Sequence, residues 1–203
     1  MEEAVGLRAR KKARTRRTIE EVALDLFDKQ GFDATTIDEI AAAADISPRT
    51  FFHYFHSKED VVLADYSARL ERIIETINAA SPDQPPWQAL RTAFRIVGAD
   101  YEEEREKLIR RFRIMWTAPS VTARNLQLQA QWEDAVTAAV AEWLDVNPNI
   151  DMHPRLIAGA ALSAMRAAMR RWLVEGGSLH LPDCIADCFD VLEDGLGKIV
   201  RTD

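Results

Sequence analysis

Apolar residues recur at helical spacing along almost the whole chain, and the strict alternation of a half-buried strand is missing. Ile19, Val22, Ala23, Leu26 and Phe27 follow the i, i+3, i+4 rule, and Gly31 stands where that first helix should close. Thr36-Ile37-Asp38-Glu39 has the form of a capping box, in which hydroxyl and carboxylate each satisfy a free backbone N–H; it predicts a second helix through Ala44. Ser47 before Pro48 reads as the N-cap and first residue of a very short third helix. Ser57-Lys58-Glu59-Asp60 is another capped start and predicts one helix running to Ala80. The prolines of "SPDQPP" (81–86) then break the pattern, because proline lacks an N–H and clashes with the preceding turn. Beyond them the spacing predicts helices over 87–105, 107–117, 120–144, 154–174 and 183–201. The fold class is therefore all-α, with a small amino-terminal group of helices over 1–62 and a larger helical bundle over 63–203.

The short third helix carries the most specific chemistry. At about 100° per residue, Phe51, Phe52 and Phe55 share one arc, and Arg49, Thr50, His53 and Tyr54 lie opposite. One side reads as core. The other offers a guanidinium, a hydroxyl, an imidazole and a phenol with no carboxylate among them, donors suited to base edges and phosphate oxygens. Ser47 caps the helix N-terminus, which adds a favourable dipole for a phosphate. The preceding helix is apolar at Ile37, Ile40, Ala41 and Ala44, so it can pack on the phenylalanine side across a tight turn. Two short helices joined this way make a helix-turn-helix whose second helix reads DNA. Any amphipathic helix also has a polar side, so geometry alone leaves both readings open.

Charge sharpens the picture. Seven cations against two acids give the first 19 residues a net +5, inside a chain of net −7. A basic tip on an acidic body points to a polyanion bound at one end, with Arg10–Arg17 as an arm of phosphate contacts; a solvated, disordered terminus is the bland alternative. Composition is otherwise that of a globular protein, 47% hydrophobic and 29% charged. No apolar run is long enough to span a bilayer, and no apolar stretch follows the basic start as a secretory signal requires. The only cysteines, Cys184 and Cys188, cannot build a disulfide framework, so the expectation is a reduced, cytoplasmic protein without membrane contact. No Ser/His/Asp arrangement, metal cluster or phosphate-cradling glycine loop is present, so the sequence predicts neither an enzyme nor a cofactor.

"TTIDEIAAAADISPRTFFHYFHSKEDVV" (35–62) resembles the DNA-binding domain of the TetR family of bacterial transcriptional regulators. Thr36, Ile40, Ala41, Ala44, Ile46, Ser47, Thr50, Phe51, Tyr54, Phe55, Ser57, Lys58 and Glu59 all stand in the family's pattern. The resemblance implies that Arg49 and His53 reach base edges of double-stranded operator DNA. It further implies that Thr50, Tyr54 and Lys58 contact phosphates, with Thr36 also lying on the backbone. Two positions depart from the pattern. Asp45 replaces a turn glycine, and Phe52 replaces a tyrosine that would otherwise bond a phosphate.

Family likeness assigns the second half to ligand binding and dimerisation. All five tryptophans lie between 87 and 172, and a bundle lined with aromatics and methionine can hold a small hydrophobic ligand. Trp87, Phe94, Phe112, Met115, Trp116 and Trp132 are the candidate lining, though each also suits a packed core. Arg110, Arg111 and Arg113 read as a solvated face; the alternative pairs one with the acid group of an acyl-coenzyme A or fatty acid. The stripes Ala158/Ala161/Leu162/Met165/Met169 and Ile185/Cys188/Leu192/Leu196/Ile199 are candidates for the four-helix interface of a homodimer, or for packing within one chain. His180 with Cys184 and Cys188 lacks a nearby fourth metal ligand, so buried small residues are the simpler reading. The leading expectation is a repressor that a hydrophobic ligand releases from a palindromic operator by moving the fourth helix. The alternative is a DNA-bound protein-recruiting factor that answers to no small molecule.

Overall fold

A computed structural model describes residues 2–81 and 83–195, with side chains from Arg10 onward. Ten helices follow in order: α1 Glu2–Gln30, α2 Ile37–Ala43, α3 Pro48–Phe51, α4 Lys58–Val62, α5 Tyr66–Ala79, α6 Pro86–Glu103, α7 Arg105–Thr117, α8 Pro119–Leu144, α9 His153–Val174 and α10 Leu181–Asp194. Among the described residues there is no strand.

The ends of these helices are set by the residues read as caps. Gly31 closes α1 at φ +88°, its N–H donating to the Phe27 carbonyl at 3.0 Å. At α2, Thr36 Oγ1 accepts from the Glu39 N–H at 3.2 Å, and the Glu39 carboxylate accepts from the Thr36 N–H at 2.8 Å. The Thr36 N–H foremost, then the Thr36 hydroxyl and the Gln30 amide, all donating to it, hold the Glu39 carboxyl below its ordinary range. Ser47 and Ser57 cap α3 and α4 by accepting from the Thr50 and Asp60 N–H groups.

Contacts divide the chain into two compact units: α1–α4 with residues 110–126, and residues 66–109 with those from 127 onward. The first packs Ile19, Leu24, Phe27, Ile40, Phe51, Phe55 and Val61 out of water. The second is built on Ile73, Ile77, Leu90, Phe94, Trp172, Leu181, Ile185 and Phe189. In it α6 and α10 approach closely at Gly98, where a Cβ would lie 2.6 Å from Ile185 Cδ1.

Four expectations change. The basic start is not an arm beside the fold but the opening of α1, helical from Glu2. The single helix from Lys58 to Ala80 is two, α4 and α5, separated at Leu63–Asp65 with Asp65 at φ +69°. The break has a distant cause: Arg111 donates to the Ala64 carbonyl and the Asp65 carboxylate, both at 3.3 Å, taking an acceptor that a continuous helix would use internally. Phe52 is not core but 51% exposed, because α3 ends at Phe51 and the chain beyond it leaves the helical wheel. The stripe Ala158, Ala161, Leu162, Met165 and Met169 is buried within the second unit. The apolar residues α9 leaves in solvent lie on another face, at Leu156 and Val174. Leu196 and Ile199 fall outside the described residues.

Candidate nucleic-acid interface

α2 and α3 meet through a turn in which Asp45 adopts φ +54°. The Ile46 N–H donates to the Ala41 carbonyl at 2.9 Å and the Asp45 N–H to the Ala42 carbonyl at 3.2 Å. This is the helix-closing motif that usually carries glycine, and Asp is among the few other residues to accept a left-handed backbone.

Beneath α3, Phe51 and Phe55 are buried with ring centroids 5.9 Å apart, and Ile40 and Ala41 of α2 are fully buried. The anchored helix therefore presents its other residues outward. Arg49 and His53 are exposed, and Thr50 and Tyr54 are half-buried beside them. Ser47 Oγ and Thr50 Oγ1 lie 2.8 Å apart, so the capping hydroxyl also steadies the threonine. Thr36 is exposed at the start of α2. A capped helix carrying Arg49 and Thr50, with His53 and Tyr54 in the turn that follows it, places two exposed cation-capable side chains next to hydroxyls, a set that can enter a major groove and meet base edges and phosphates.

Lys58 has a different occupation from the expected one. Its ammonium donates to the carbonyls of Phe32 at 2.7 Å, Asp33 at 3.3 Å and Thr35 at 3.0 Å. It also lies 4.4 Å from the Phe32 ring centroid. All three N–H groups are thereby committed to the α1–α2 turn, and none is left for a phosphate. Lys58 ties α4 to the turn that positions Thr36.

The sequence reading also missed a set of arginine clamps inside the first unit. Arg111, 3% exposed, donates to Glu20 at 2.8 Å, and Arg16 reaches the same carboxylate at 3.3 Å. Arg16 in turn lies 4.8 Å from the Phe55 ring centroid. Arg110 bonds Asp28 at 2.6 Å and Asp25 at 2.7 Å, and Arg124 bonds Asp60 at 2.9 Å. Arg110 and Arg111 are thus neither a solvated face nor ligand anchors. Their partners lie far away in sequence, which is why spacing could not reveal them.

The candidate ligand residues do not form one cluster within either unit. In the second unit Trp87 and Phe94 pack on Phe189 at 4.6 and 5.9 Å, and Trp132 on Tyr66 at 4.7 Å. Phe112, Met115 and Trp116 belong to the first unit, where the Phe112 and Trp116 rings lie 6.3 Å apart and Trp116 is 62% exposed. The second unit also encloses polar groups: Arg69 lies 3.8 Å from the Tyr101 ring centroid and bonds Glu104 at 3.1 Å. Burial raises the Tyr66 phenol above its ordinary pKa, so it stays protonated as a donor. On the outside of this unit an open apolar groove of about 770 Å³ is lined by Ile150, Met152, Leu156, Gly159, Ala160 and Leu192. Cys184 is buried and Cys188 half-buried, and burial raises both thiols above their ordinary pKa. Among the described residues no helix is long and apolar enough to cross a membrane.

Comparison with known proteins bears directly on this arrangement. Residues 19–64 match the family described as bacterial regulatory proteins, tetR family. Residues 84–197 match the family described as the MftR C-terminal domain. The HTH-type transcriptional regulator TcmR of Streptomyces glaucescens is 32% identical over 82% of this chain and 76% of its own length. A Mycobacterium tuberculosis protein named for transcriptional regulation of mycofactocin biosynthesis, MftR, is 27% identical over 94% and 95%. Among solved structures, Thermus thermophilus FadR in complex with lauroyl-CoA covers 93% of this chain and 97% of its own, at 24% identity and a TM-score of 0.53. Bacillus subtilis FadR in complex with stearoyl-CoA covers 88% and 98%, at 14% identity and a TM-score of 0.61.

Proposed function

Because the chain belongs to the TetR family of bacterial transcriptional regulators, we propose that it reads a palindromic operator as a homodimer and is released from it by a small hydrophobic ligand. The observation that carries the reading is the outward side of α3 and of the turn after it: Arg49 and His53 exposed over a buried Phe51 and Phe55, with a capped N-terminus and hydroxyls alongside. In this reading Arg49 and His53 meet base edges, Thr50, Tyr54 and Thr36 meet phosphates, and Ser47 and Lys58 hold the contacting residues in place. Asp45 leaves a carboxylate at the turn, where it opposes the phosphates.

One short helix reads too few base pairs for high specificity, so a two-fold pair on a palindrome is the sensible assembly. The groove at Leu156 and its neighbours is an apolar surface that a second copy would cover. Two FadR proteins of the same fold hold lauroyl-CoA and stearoyl-CoA, which favours a ligand with an acyl chain and an anionic head. In the second unit Arg69, stacked on Tyr101 and paired with Glu104, is the buried cation that the anionic head of such a molecule would engage. The chain crosses between the units three times, after Asp65, within α7 and within α8. A ligand-driven shift can therefore travel along two intact helices as well as through the α4–α5 break, with an operator–ligand coupling of about 1–3 kcal/mol.

The test is fluorescence anisotropy on the duplex recovered by random-sequence selection, for wild type and Arg49→Ala/His53→Ala, with and without lauroyl-CoA. Specific binding that the double substitution abolishes and lauroyl-CoA weakens is the expected result. Specific binding that is indifferent to an acyl-CoA series and to other hydrophobic metabolites favours the protein-recruiting alternative. Selection that recovers no preferred sequence sinks the operator reading.

A further inference from the structure

Most arginines of this acidic protein are matched with carboxylates. Arg72 with Asp100, Arg91 with Asp190, Arg110 with Asp25 and Asp28, Arg124 with Asp60, and Arg155 with Glu133 and Asp134 all lie within ion-pair distance. Unpaired arginines such as Arg49, Arg113 and Arg170 are scattered singly, whereas the first turns of α1 gather unpaired cations side by side. Lys11, Lys12, Arg14 and Arg17 are exposed, and among the described residues none of the four is in an ion pair. No acid occurs between Glu3 and Glu20 to neutralise them.

Three observations say what this surface faces. The segment is helical throughout as part of α1, with the Thr15 and Thr18 hydroxyls turned back onto the Lys11 and Arg14 carbonyls, each at 3.1 Å. From residue 10 to residue 18 it has no side chain more apolar than alanine, so it has nothing to bury in a protein groove or a lipid surface. It is also registered against the reading helix, because Arg16 stacks on Phe55 at the end of the α3 segment. Helical rise of about 1.5 Å per residue carries Lys11 roughly 7.5 Å beyond that contact.

We propose that residues 11–17 of α1 form a second phosphate-binding surface, which lies on the backbone of the same duplex outside the bases read by α3. It supplies affinity without sequence preference. Arg16, held by Glu20 and by Phe55, sets the angle at which the surface leaves the head. The inference rests on the operator reading only for the presence of a specific duplex; binding to arbitrary DNA tests it separately.

The experiment compares the full chain with Lys11→Gln/Lys12→Gln/Arg14→Gln/Arg17→Gln, after circular dichroism shows equal helicity and an equal melting point. An Arg105→Gln/Arg113→Gln/Arg166→Gln/Arg170→Gln variant, which removes the same number of exposed charges elsewhere, controls for net charge. Affinity for two duplexes of equal length, one arbitrary and one selected, is followed across a salt series. The expected result is a log–log salt slope shallower by about 0.9 for each phosphate that the variant no longer neutralises, up to roughly 3.6 per protomer. Affinity should fall by a similar factor on both duplexes, so their ratio holds. A slope no shallower than the control's on the arbitrary duplex overturns the proposal. So does a collapse of the ratio between the duplexes, which would make the segment a base reader. Failure of the operator reading looks different: no selected duplex emerges, while the slope on arbitrary DNA still shifts.

Discussion

Lys58 shows how one residue's partners decide its role. A lysine at the start of a helix beside a DNA head suggests a phosphate contact, yet three carbonyls of the α1–α2 turn take its protons. Replacing it with methionine keeps the stem over Phe32 but removes charge-assisted bonds worth about 1.5–3 kcal/mol each at most. Lys58→Met should therefore lower the melting point and weaken operator binding, while the salt slope stays that of wild type. A slope shallower by about 0.9 would instead mark a phosphate contact. Local cues did define the neighbouring residues: Ser47, Thr36 and Ser57 cap their helices as their spacing requires, because a capping hydroxyl needs only an N–H two or three residues ahead. The lysine's acceptors lie 23 to 26 residues upstream, beyond any window.

At the scale of elements, the α4–α5 break and the burial of α7 in the first unit have one cause, Arg111. Its guanidinium joins Glu20 of α1 to Asp65 and the Ala64 carbonyl. Glu20 and Arg111 are both 3% exposed. Removing Arg111 leaves the buried Glu20 carboxylate with the half-buried Arg16 as an ion-pair partner, at a cost of up to about 3–5 kcal/mol. Arg111→Met should destabilise the protein by that order, and Glu20→Gln added to Arg111→Met should restore much of the loss. Chemical denaturation of the two variants checks this; a double variant no more stable than Arg111→Met would show that packing, not stranded charge, is responsible. The pattern of apolar residues predicted all the long helices but ran straight through Leu63–Asp65. Helical spacing carries no trace of a carbonyl taken by a residue some 47 positions later.

For the whole molecule, the proposed pairing places a second copy over the groove around Leu156. Leu156, 65% exposed, stands among Met152, Gly159 and Ala160. A glutamate there would place a charge in each half of a two-fold interface, close to its own symmetry mate. Leu156→Glu should leave the fold intact and yield a monomer in sedimentation, with operator affinity reduced at least tenfold. A dimer that survives the substitution would locate the interface elsewhere. The helical spacing of α9 showed that this helix would be a packing element, but not which side faces outward. It is apolar around much of its circumference, and its neighbours α6 and α10 chose the face that they cover.

The sequence by itself determined the all-helical class, the capped helix-turn-helix and its outward donors, and the concentration of positive charge at the start of the chain. Each rests on interactions within a turn or two, or on charge that needs no partner to be counted. Only the tertiary structure decided that Lys58 clamps a turn, that Arg110 and Arg111 hold α7 to α1, and that the fourth helix breaks at Asp65. The same holds for the distribution of the candidate ligand residues between two units. Those outcomes depend on which distant carbonyl, carboxylate or ring the folded chain brings within a few ångströms, and spacing along the chain does not encode that.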